Sequence, residues 1–288
     1  MLPSILGIIF MAGKFYIVAT PIGNLQDISS RALDILTNVG LILAEDTRYS
    51  QRLLNSYNIK NQLASLHEHN EEKSINKIVA DLKHKDIALI SDAGTPLISD
   101  PGYKLVRELK NNDFAVIPIP GPSALIAALS ASGLPTDKFC FEGFLPKNPK
   151  ARQNYLHKLR TETRTMIFYE SPKRVIKTLE LMLKMSGEHR KVAVARELSK
   201  KHENIIMGNL ADVHKIFVTK QEPARGEFVI VLDGVTTEAE NEIETAKILK
   251  ILLDELPASQ AIRLASKITD VGKNKLYATA LNFDSTQD

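Results

Sequence analysis

Residues 88–102 run ALISDAGTPLISDPG, a buried strand leading straight into a loop that an ordinary connection would not need. Asp86 to Ser91 supplies the strand. Asp92-Ala93-Gly94-Thr95-Pro96 supplies a turn that a ligand can approach closely, because Gly94 has no Cβ and Pro96 restricts φ. A second turn, Asp100-Pro101-Gly102, launches a helix in which Leu105, Val106 and Leu109 recur at helical spacing. The loop is expected to be a binding site.

Moving outward, Lys14 to Thr20 (KFYIVAT) is short, apolar and β-branched without a helical period, so it reads as a strand buried on both faces. It ends in Pro21-Ile22-Gly23-Asn24. Ser29 or Ser30 caps the next helix, whose Ala32, Leu33, Ile35, Leu36 and Val39 share one face. Leu41–Ala44 is the next strand, a helix from about Glu71 to Lys83 follows, and Phe114–Ile119 is a strand broken by Pro120-Gly121-Pro122 before a small-residue helix, Ser123–Ser132. Four strands alternating with helices describe a parallel or mostly parallel open sheet. In such sheets ligands sit beyond the carboxyl ends of strands. Thr20–Asn24, Asp92–Pro96 and Pro120–Ser123 all stand at such ends, and one pocket is expected to collect them.

The 288 residues, 44% apolar and 25% charged, are those of a soluble globular protein large enough for two domains. One cysteine, Cys140, excludes an intramolecular disulfide and a thiolate cluster, which fits a reducing cytoplasm. The net charge of +3 is too small to prove a nucleic-acid partner. Residues 1–13 carry an apolar run without a basic flank and too short for a bilayer span, and are read as an N-terminal extension.

From Phe139 the pattern restarts. Between Pro146 and Arg164 six basic residues (Lys147, Lys150, Arg152, Lys158, Arg160, Arg164) face one acidic residue, Glu162, in a helical stretch suited to phosphates. Thr165–Tyr169 is a strand ending in Glu170-Ser171-Pro172-Lys173-Arg174, followed by a helix over Val175–Met185. Lys191–Ala195 is a strand leading into Arg196-Glu197-Leu198-Ser199-Lys200, and Gly226–Leu232 closes the second domain. Domains are expected at 14–136 and 137–235, then an acidic linker from Thr236 to about Ile243 and three short helices, 245–256, 258–268 and 273–281, within a tail at 236–288. Arg263, Lys267, Lys273 and Lys275 make the end of that tail basic, as in an RNA-facing helix-turn-helix. A dimerisation appendage is the alternative.

Familiar engines are missing: no GxxxxGK[ST], HExxH, CxxC or GxGxxG stands in the chain. His67 and His69 read as an exposed loop at a helix entry, and no metal is expected. Seven ordered motifs do stand together: VATPIGNLQDIS, LAEDTR, LISDAGTPLISDPG, PIPGPSALIAALSASGLP, FYESPKR, ARELSKKHE and RGEFVIVL. Together they resemble the bacterial small-subunit ribosomal RNA cytidine 2′-O-methyltransferases of the tetrapyrrole methylase superfamily, from Phe15 to about Leu232 with a similar helical tail.

That resemblance implies a two-domain α/β fold, each domain a mixed sheet with helices, plus a small C-terminal helical module. It implies S-adenosylmethionine bound between the domains, a cytoplasmic homodimer without membrane or metal, and methylation of a decoding-centre cytidine ribose in small-subunit ribosomal RNA. Carried over, Pro21 and Gly23 shape the cleft floor, Asp92, Ala93, Gly94 and Thr95 hold the methionine part of the cofactor, and Ser123 and Ala124 touch it. Phe168, Tyr169 and Glu170 approach from the second domain. Lys147, Lys150, Arg152, Arg160, Lys273 and Lys275 are the expected RNA contacts. Methyl transfer to a hydroxyl needs a base, or a cation beside the developing alkoxide, and Lys200 and Glu197 beside Arg196 are the candidates. A structural ion-pair network is their bland reading. Methylation of a tetrapyrrole or other small substrate, and a noncatalytic RNA-binding module, are the competing functions.

Overall fold

A computed structural model describes residues 13–284, so residues 1–12 of the N-terminal extension lie outside the described residues. The chain packs as two compact units. The first holds the residues up to Ser132 together with Ala195–Ile205 and Gly226–Val229; the second holds Gly133–Val194, Ile206–Arg225 and the chain from Ile230.

The first unit is built on five strands, β1 (Phe15–Val18), β2 (Leu41–Ala44), β3 (Leu63–Ser65), β4 (Ile87–Ile90) and β5 (Val116–Ile119), in the order β3-β2-β4-β1-β5. All four pairings are parallel. Period-two alternation sorts the side chains. Tyr16, Val18, Ile42, Ala44, Ala88 and Ile90 pack on Ala32 and Leu36 of α1 (Ser30–Asn38) and Leu54 of α2 (Thr47–Ser56). Phe15, Leu41, Leu43, Ile87 and Leu89 pack on Ile78 and Leu82 of α3 (Glu71–Leu82) and Leu105 and Leu109 of α4 (Tyr103–Asn111). Both faces are therefore covered, which is why these strands read as unbroken apolar runs.

Strand order places the crevice. The connection from β1 leads across the sheet to β2, whereas that from β4 leads the other way to β5, and α1 and α4 lie on opposite faces. Neighbouring β1 and β4 thus form a topological switch point, where open α/β sheets bind ligands. Thr20 and Asp92 stand just beyond these two strand ends.

Four of these five strands are those expected from the sequence. The exception is β3, only three residues long and half-exposed; α2 is also unexpected, because TRYSQRLLNS buries only Ser50 and Leu54. Ser29 does cap α1, accepting from the Ala32 N–H. The small-residue helix is α5 (Ala124–Ala131).

The second sheet runs β6 (Phe139–Phe144), β7 (Thr165–Glu170), β10 (Phe228–Leu232), β8 (Lys191–Arg196) and β9 (Asn204–Asn209), with α6 (Pro149–Lys158), α7 (Val175–Ser186) and α8 (Leu210–Val218). β9 and α8 are not among the expected elements, although Leu210, Val213 and Phe217 of α8 recur at helical spacing. The expected acidic linker is corrected: α9 (Thr237–Glu255) is helical from its start. Glutamates are good helix formers and are favoured near a helix N-terminus, so acidity there does not break a helix. With α10 (Ala258–Thr269) and α11 (Lys273–Asp284) it closes a small core of Leu249, Ile262, Ala265 and Leu276. Asp270 turns the chain between α10 and α11 at a φ of 56°.

Candidate functional site

The three strand-end loops of the first unit touch one another. Thr20 and Gly94 exchange backbone hydrogen bonds of 2.8 and 3.0 Å in an isolated antiparallel bridge. The Thr20 hydroxyl donates to the Ser91 carbonyl at 3.2 Å, and the Thr95 hydroxyl donates to the Pro122 carbonyl at 3.0 Å. Gly94 stands at a φ of 83°, and a Cβ there would lie 3.3 Å from Ile22. A Cβ on Gly121 would lie 2.9 Å from that of Ala19. Both glycines are therefore what lets the loops close on each other. Pro21 is buried beneath, and Gly23 is exposed.

Beside them opens a cleft of about 380 Å³, lined by Ile22, Asp27, Pro122, Ser123, Ala127 and, from a later stretch of the chain, Leu198, Ser199 and Glu203. Of the expected cofactor residues Ser123 lines it directly. Asp27, Ser199 and Glu203 were not among the expected residues. The Ser199 hydroxyl donates to the Asp27 carboxylate, and the Ser199 N–H donates to Glu203. A polar Asn-Leu-Gln-Asp turn directly after a strand end was the available signal for Asp27.

The neighbouring strand ends gather carboxylates. The Asp46 N–H donates to Asp92 Oδ1 at 3.2 Å, while Asp46 itself caps α2. Burial raises the Asp92 carboxyl above its ordinary value, with the Asp46 N–H opposing and the Asp46 charge assisting. Glu45 is raised by burial and by Asp92, partly offset by His67. Asp100 is pushed up to about 6, chiefly by burial, against a hydrogen bond from Ser91 and with Glu45 and Asp92 adding repulsion.

Asp100 has a testable consequence. Above pH 6 it is ionised in both folded and unfolded chains, and the folded chain carries the full burial penalty. As pH falls from about 6 towards the ordinary aspartate value near 4, the native state takes up the proton first and the penalty fades. Asp100→Asn is therefore expected to stabilise the protein at pH 8, by on the order of 1 kcal/mol allowing for solvent screening, and to lose that advantage near pH 4. Urea melts at the two pH values check this.

The segment after β8 forms a tight ionic knot within the first unit. Lys200 Nζ lies 2.9 Å from Glu197 Oε1 and 3.0 Å from Glu227 Oε2, and the Glu227 N–H donates to Glu197 Oε1 at 2.9 Å. Burial opposes both charges, but the mutual hydrogen bonds outweigh it. Glu197 ends below the ordinary carboxyl range and Lys200 above the ordinary amine range. Lys200, held as the ammonium, has no lone pair for a base role, and its charge suits the cation role; the Glu197 carboxylate is taken up by Lys200 and the Glu227 N–H. Glu197 and Ser199 sit at φ of 50° and 65°. Gly23 ties the knot to the first loop, since a Cβ there would fall 2.3 Å from Lys200 Cγ.

In the second unit, Phe168 is fully buried and Tyr169 half-buried on β7. The Glu170 carboxylate is wholly buried and satisfied: it accepts from the Ser171 N–H and the Thr178 hydroxyl, each at 2.7 Å, and pairs with Arg174 at 2.7 Å. It is held by the β7–α7 junction, with no face turned to a ligand.

Arg152 is a second correction. It is 5% exposed, and its guanidinium donates to the carbonyls of Pro146 and Lys147, so it shapes a loop instead of facing RNA. Lys147, Lys150 and Lys273 are exposed, Arg160 is half-buried, and Lys275 makes an exposed pair with Glu242 at 2.7 Å. Cys140 is pushed up to about 12 by burial and by Glu142. Among the described residues no His, Cys, Asp and Glu cluster could hold a metal, and no helix is long and apolar enough to cross a membrane.

The loops suit a cofactor of the expected kind. A sulfonium cation with an amino-acid tail is favoured by nearby carboxylates, and here Asp27 lines the cleft while Asp92 stands at the end of β4 beside the packed loops. The cleft falls in the usual size range of small-molecule sites.

Comparison with known proteins adds independent findings. Residues 14–214 match the family model described as Tetrapyrrole (Corrin/Porphyrin) Methylases, and residues 239–283 match one described as RsmI C-terminal HTH domain. A Pseudomonas aeruginosa protein named ribosomal RNA small subunit methyltransferase I is 48% identical over 94% of this chain and 97% of its own. Proteins of the same name from Haemophilus influenzae and Escherichia coli O157:H7 are 44% and 45% identical, over 94% and 93% of this chain and 97% and 95% of theirs. The crystal structure of uroporphyrin III C-methyl transferase from Thermus thermophilus shares the fold, with a TM-score of 0.53 at 16% identity over 77% of this chain and 97% of that one.

Proposed function

This chain belongs to the tetrapyrrole (corrin/porphyrin) methylase family, among the proteins named ribosomal RNA small subunit methyltransferase I, and we propose that it methylates small-subunit ribosomal RNA with S-adenosylmethionine. The finer assignment we infer is the ribose 2′-hydroxyl of a decoding-centre cytidine, acted on by a cytoplasmic homodimer. One observation supports it best: the loops at Thr20–Asn24, Asp92–Pro96 and Pro120–Ser123 meet at the switch point, with the Glu197–Lys200 knot against Gly23.

When bound, S-adenosylmethionine supplies an activated methyl group. The protein's share is positioning and electrostatics. The loop around Gly94 and the Asp92 carboxylate would hold the cofactor's amino-acid part, with Pro21 and Gly23 beneath and Ser123 and Ala124 beside it. Holding two reactants in near-attack geometry is worth about 7–11 kcal/mol. Lys200, kept protonated by Glu197 and Glu227, would stabilise the negative charge that develops on the ribose oxygen as it takes the methyl group and passes its proton to solvent water. Glu197 and Glu227 orient that lysine, and Arg196 adds its positive charge beside Glu197. The exposed Lys147, Lys150, Lys273 and Lys275, with Arg160, receive RNA phosphates.

Labelled methyl transfer to small ribosomal subunits isolated without this activity, followed by nucleotide mapping, tests the assignment. Label on a base and not a ribose rejects the 2′-hydroxyl. Raising salt should weaken substrate binding steeply, since each phosphate contact releases counterions, whereas a small substrate without phosphates would show little slope. Lys200→Ala is expected to lower kcat by about 100- to 1,000-fold with cofactor affinity nearly intact. Near-normal turnover in that variant removes Lys200 from the chemistry.

A further inference from the structure

β6 reads Phe-Cys-Phe-Glu-Gly-Phe and is the edge strand of the second sheet. Strict alternation would send Phe144 to the face opposite Phe139 and Phe141. It does not, because the pairing with β7 slips by one residue: Phe141 faces Ile167, yet Gly143 faces Phe168 and Phe144 faces Tyr169. Glu142 is the extra residue of a bulge, and its carboxylate is tied off by the Tyr155 hydroxyl at 2.5 Å. The result is an aromatic cluster on one face. Tyr169 meets Phe141 edge-on at 4.8 Å between ring centroids and Phe144 at 5.6 Å. Phe144, at the carboxyl end of the strand, is 57% exposed.

The chain beyond Phe144 is held in place. Arg174 donates to the Leu145 carbonyl at 3.1 Å, and Arg152 donates to the carbonyls of Pro146 and Lys147 at 3.2 and 3.1 Å. Two half-buried or buried arginines thus fix the three successive carbonyls that join the exposed ring of Phe144 on β6 to the exposed Lys147 and, on α6, Lys150. No acidic residue occurs between Phe144 and Arg160.

We propose that the carboxyl ends of β6 and β7 form a stacking platform for an unstacked base of single-stranded RNA, with Phe144 as the exposed ring and Lys147 and Lys150 taking the adjoining phosphates. The inference rests on the ribosomal RNA reading and specifies the form of substrate, since a base can meet a ring only once it has left a duplex stack. Charge decides between occupants. An apolar ring beside lysines, with the neighbouring Glu142 and Glu170 carboxylates taken up by Tyr155 and Arg174, matches the face and backbone of a nucleotide, and stacking on aromatic rings tolerates any base.

Full-length protein is titrated against a short single-stranded RNA containing 2-aminopurine, whose fluorescence falls on stacking. Wild type and Phe144→Trp should bind with quenching. Phe144→Leu should bind about 5- to 100-fold more weakly and lose the quenching, with an unchanged thermal melt. Unchanged affinity in Phe144→Leu overturns the platform, and so does a change in its sedimentation mass with RNA binding intact, which assigns the ring to a second copy. The arms separate from the underlying reading: wild type that methylates small subunits while Phe144→Leu binds and reacts equally well rejects only the platform, whereas wild type that methylates no ribosomal RNA rejects the reading.

Discussion

Replacing Arg174 by alanine is expected to destabilise the protein by about 3–5 kcal/mol, the cost of stranding a buried carboxylate. The Glu170 side chain has no exposure, and Arg174 is its cationic partner at 2.7 Å, with the Thr178 hydroxyl and the Ser171 N–H completing the shell. Arg174 also reaches the Ser171 hydroxyl at 3.1 Å and the Leu145 carbonyl, so its loss frees the end of β6 as well. The paired variant Glu170→Met with Arg174→Met should lose far less, because it leaves no buried charge without a partner. Denaturant midpoints for the two variants make the comparison. Equal losses would mean that packing, not charge, dominates this junction.

The second large effect falls on the cofactor loop. Gly94→Val places a β-branched side chain at a φ of 83°, in a region such residues avoid, with its Cβ 3.3 Å from Ile22. The strain of about 1–3 kcal/mol is relieved most simply by opening the Thr20–Gly94 bridge, which would separate the first loop from the second. S-adenosylmethionine affinity, measured by calorimetry, is therefore expected to fall by at least about ten-fold, by the usual 1.4 kcal/mol per decade. Gly187→Ala supplies the control. That glycine has a similar φ of 82° at the C-terminus of α7, but nothing lies within 4 Å of its would-be Cβ. It should cost stability and leave cofactor binding unchanged; a matching loss of affinity there would show that global strain, not loop geometry, controls binding.

Much of the architecture was legible because it is written in short-range patterns. Leu41–Ala44 is four consecutive buried apolar residues, and Ser29 precedes a helical apolar face. The strand-end loops at Thr20, Asp92 and Pro120 stood out by their proline and glycine content. What escaped had weak local signals. β3 offers three residues and no period, and α2 hides a helix behind arginines and serines that face solvent. The stretch before Glu244 reads as a linker because it is acidic, yet its backbone is helical from Thr237.

The site divides the same way. Ser123 stands in a motif legible in the chain, yet Asp27, Ser199 and Glu203 line the same cleft only through the fold. Lys200, Glu197 and Arg152 show the limit most clearly. Their residue types suggested a base and a phosphate contact, but a charge acts according to its partners. Glu227, 27 positions from Lys200, helps hold it protonated, and the carbonyls before α6 occupy Arg152.

By itself, then, the amino-acid order determined the α/β class, the positions of most strands and helices and the loops with ligand-ready backbone, since each depends on propensity and periodicity over a few residues. Tertiary structure alone decided the strand order that puts β1 beside β4, the bulge that turns Phe144 to the aromatic face, and which charges are paired. The physical reason is that pairing, burial and the pKa values that follow from them are set by groups far apart in the chain, brought within hydrogen-bond distance only when the sheet is assembled.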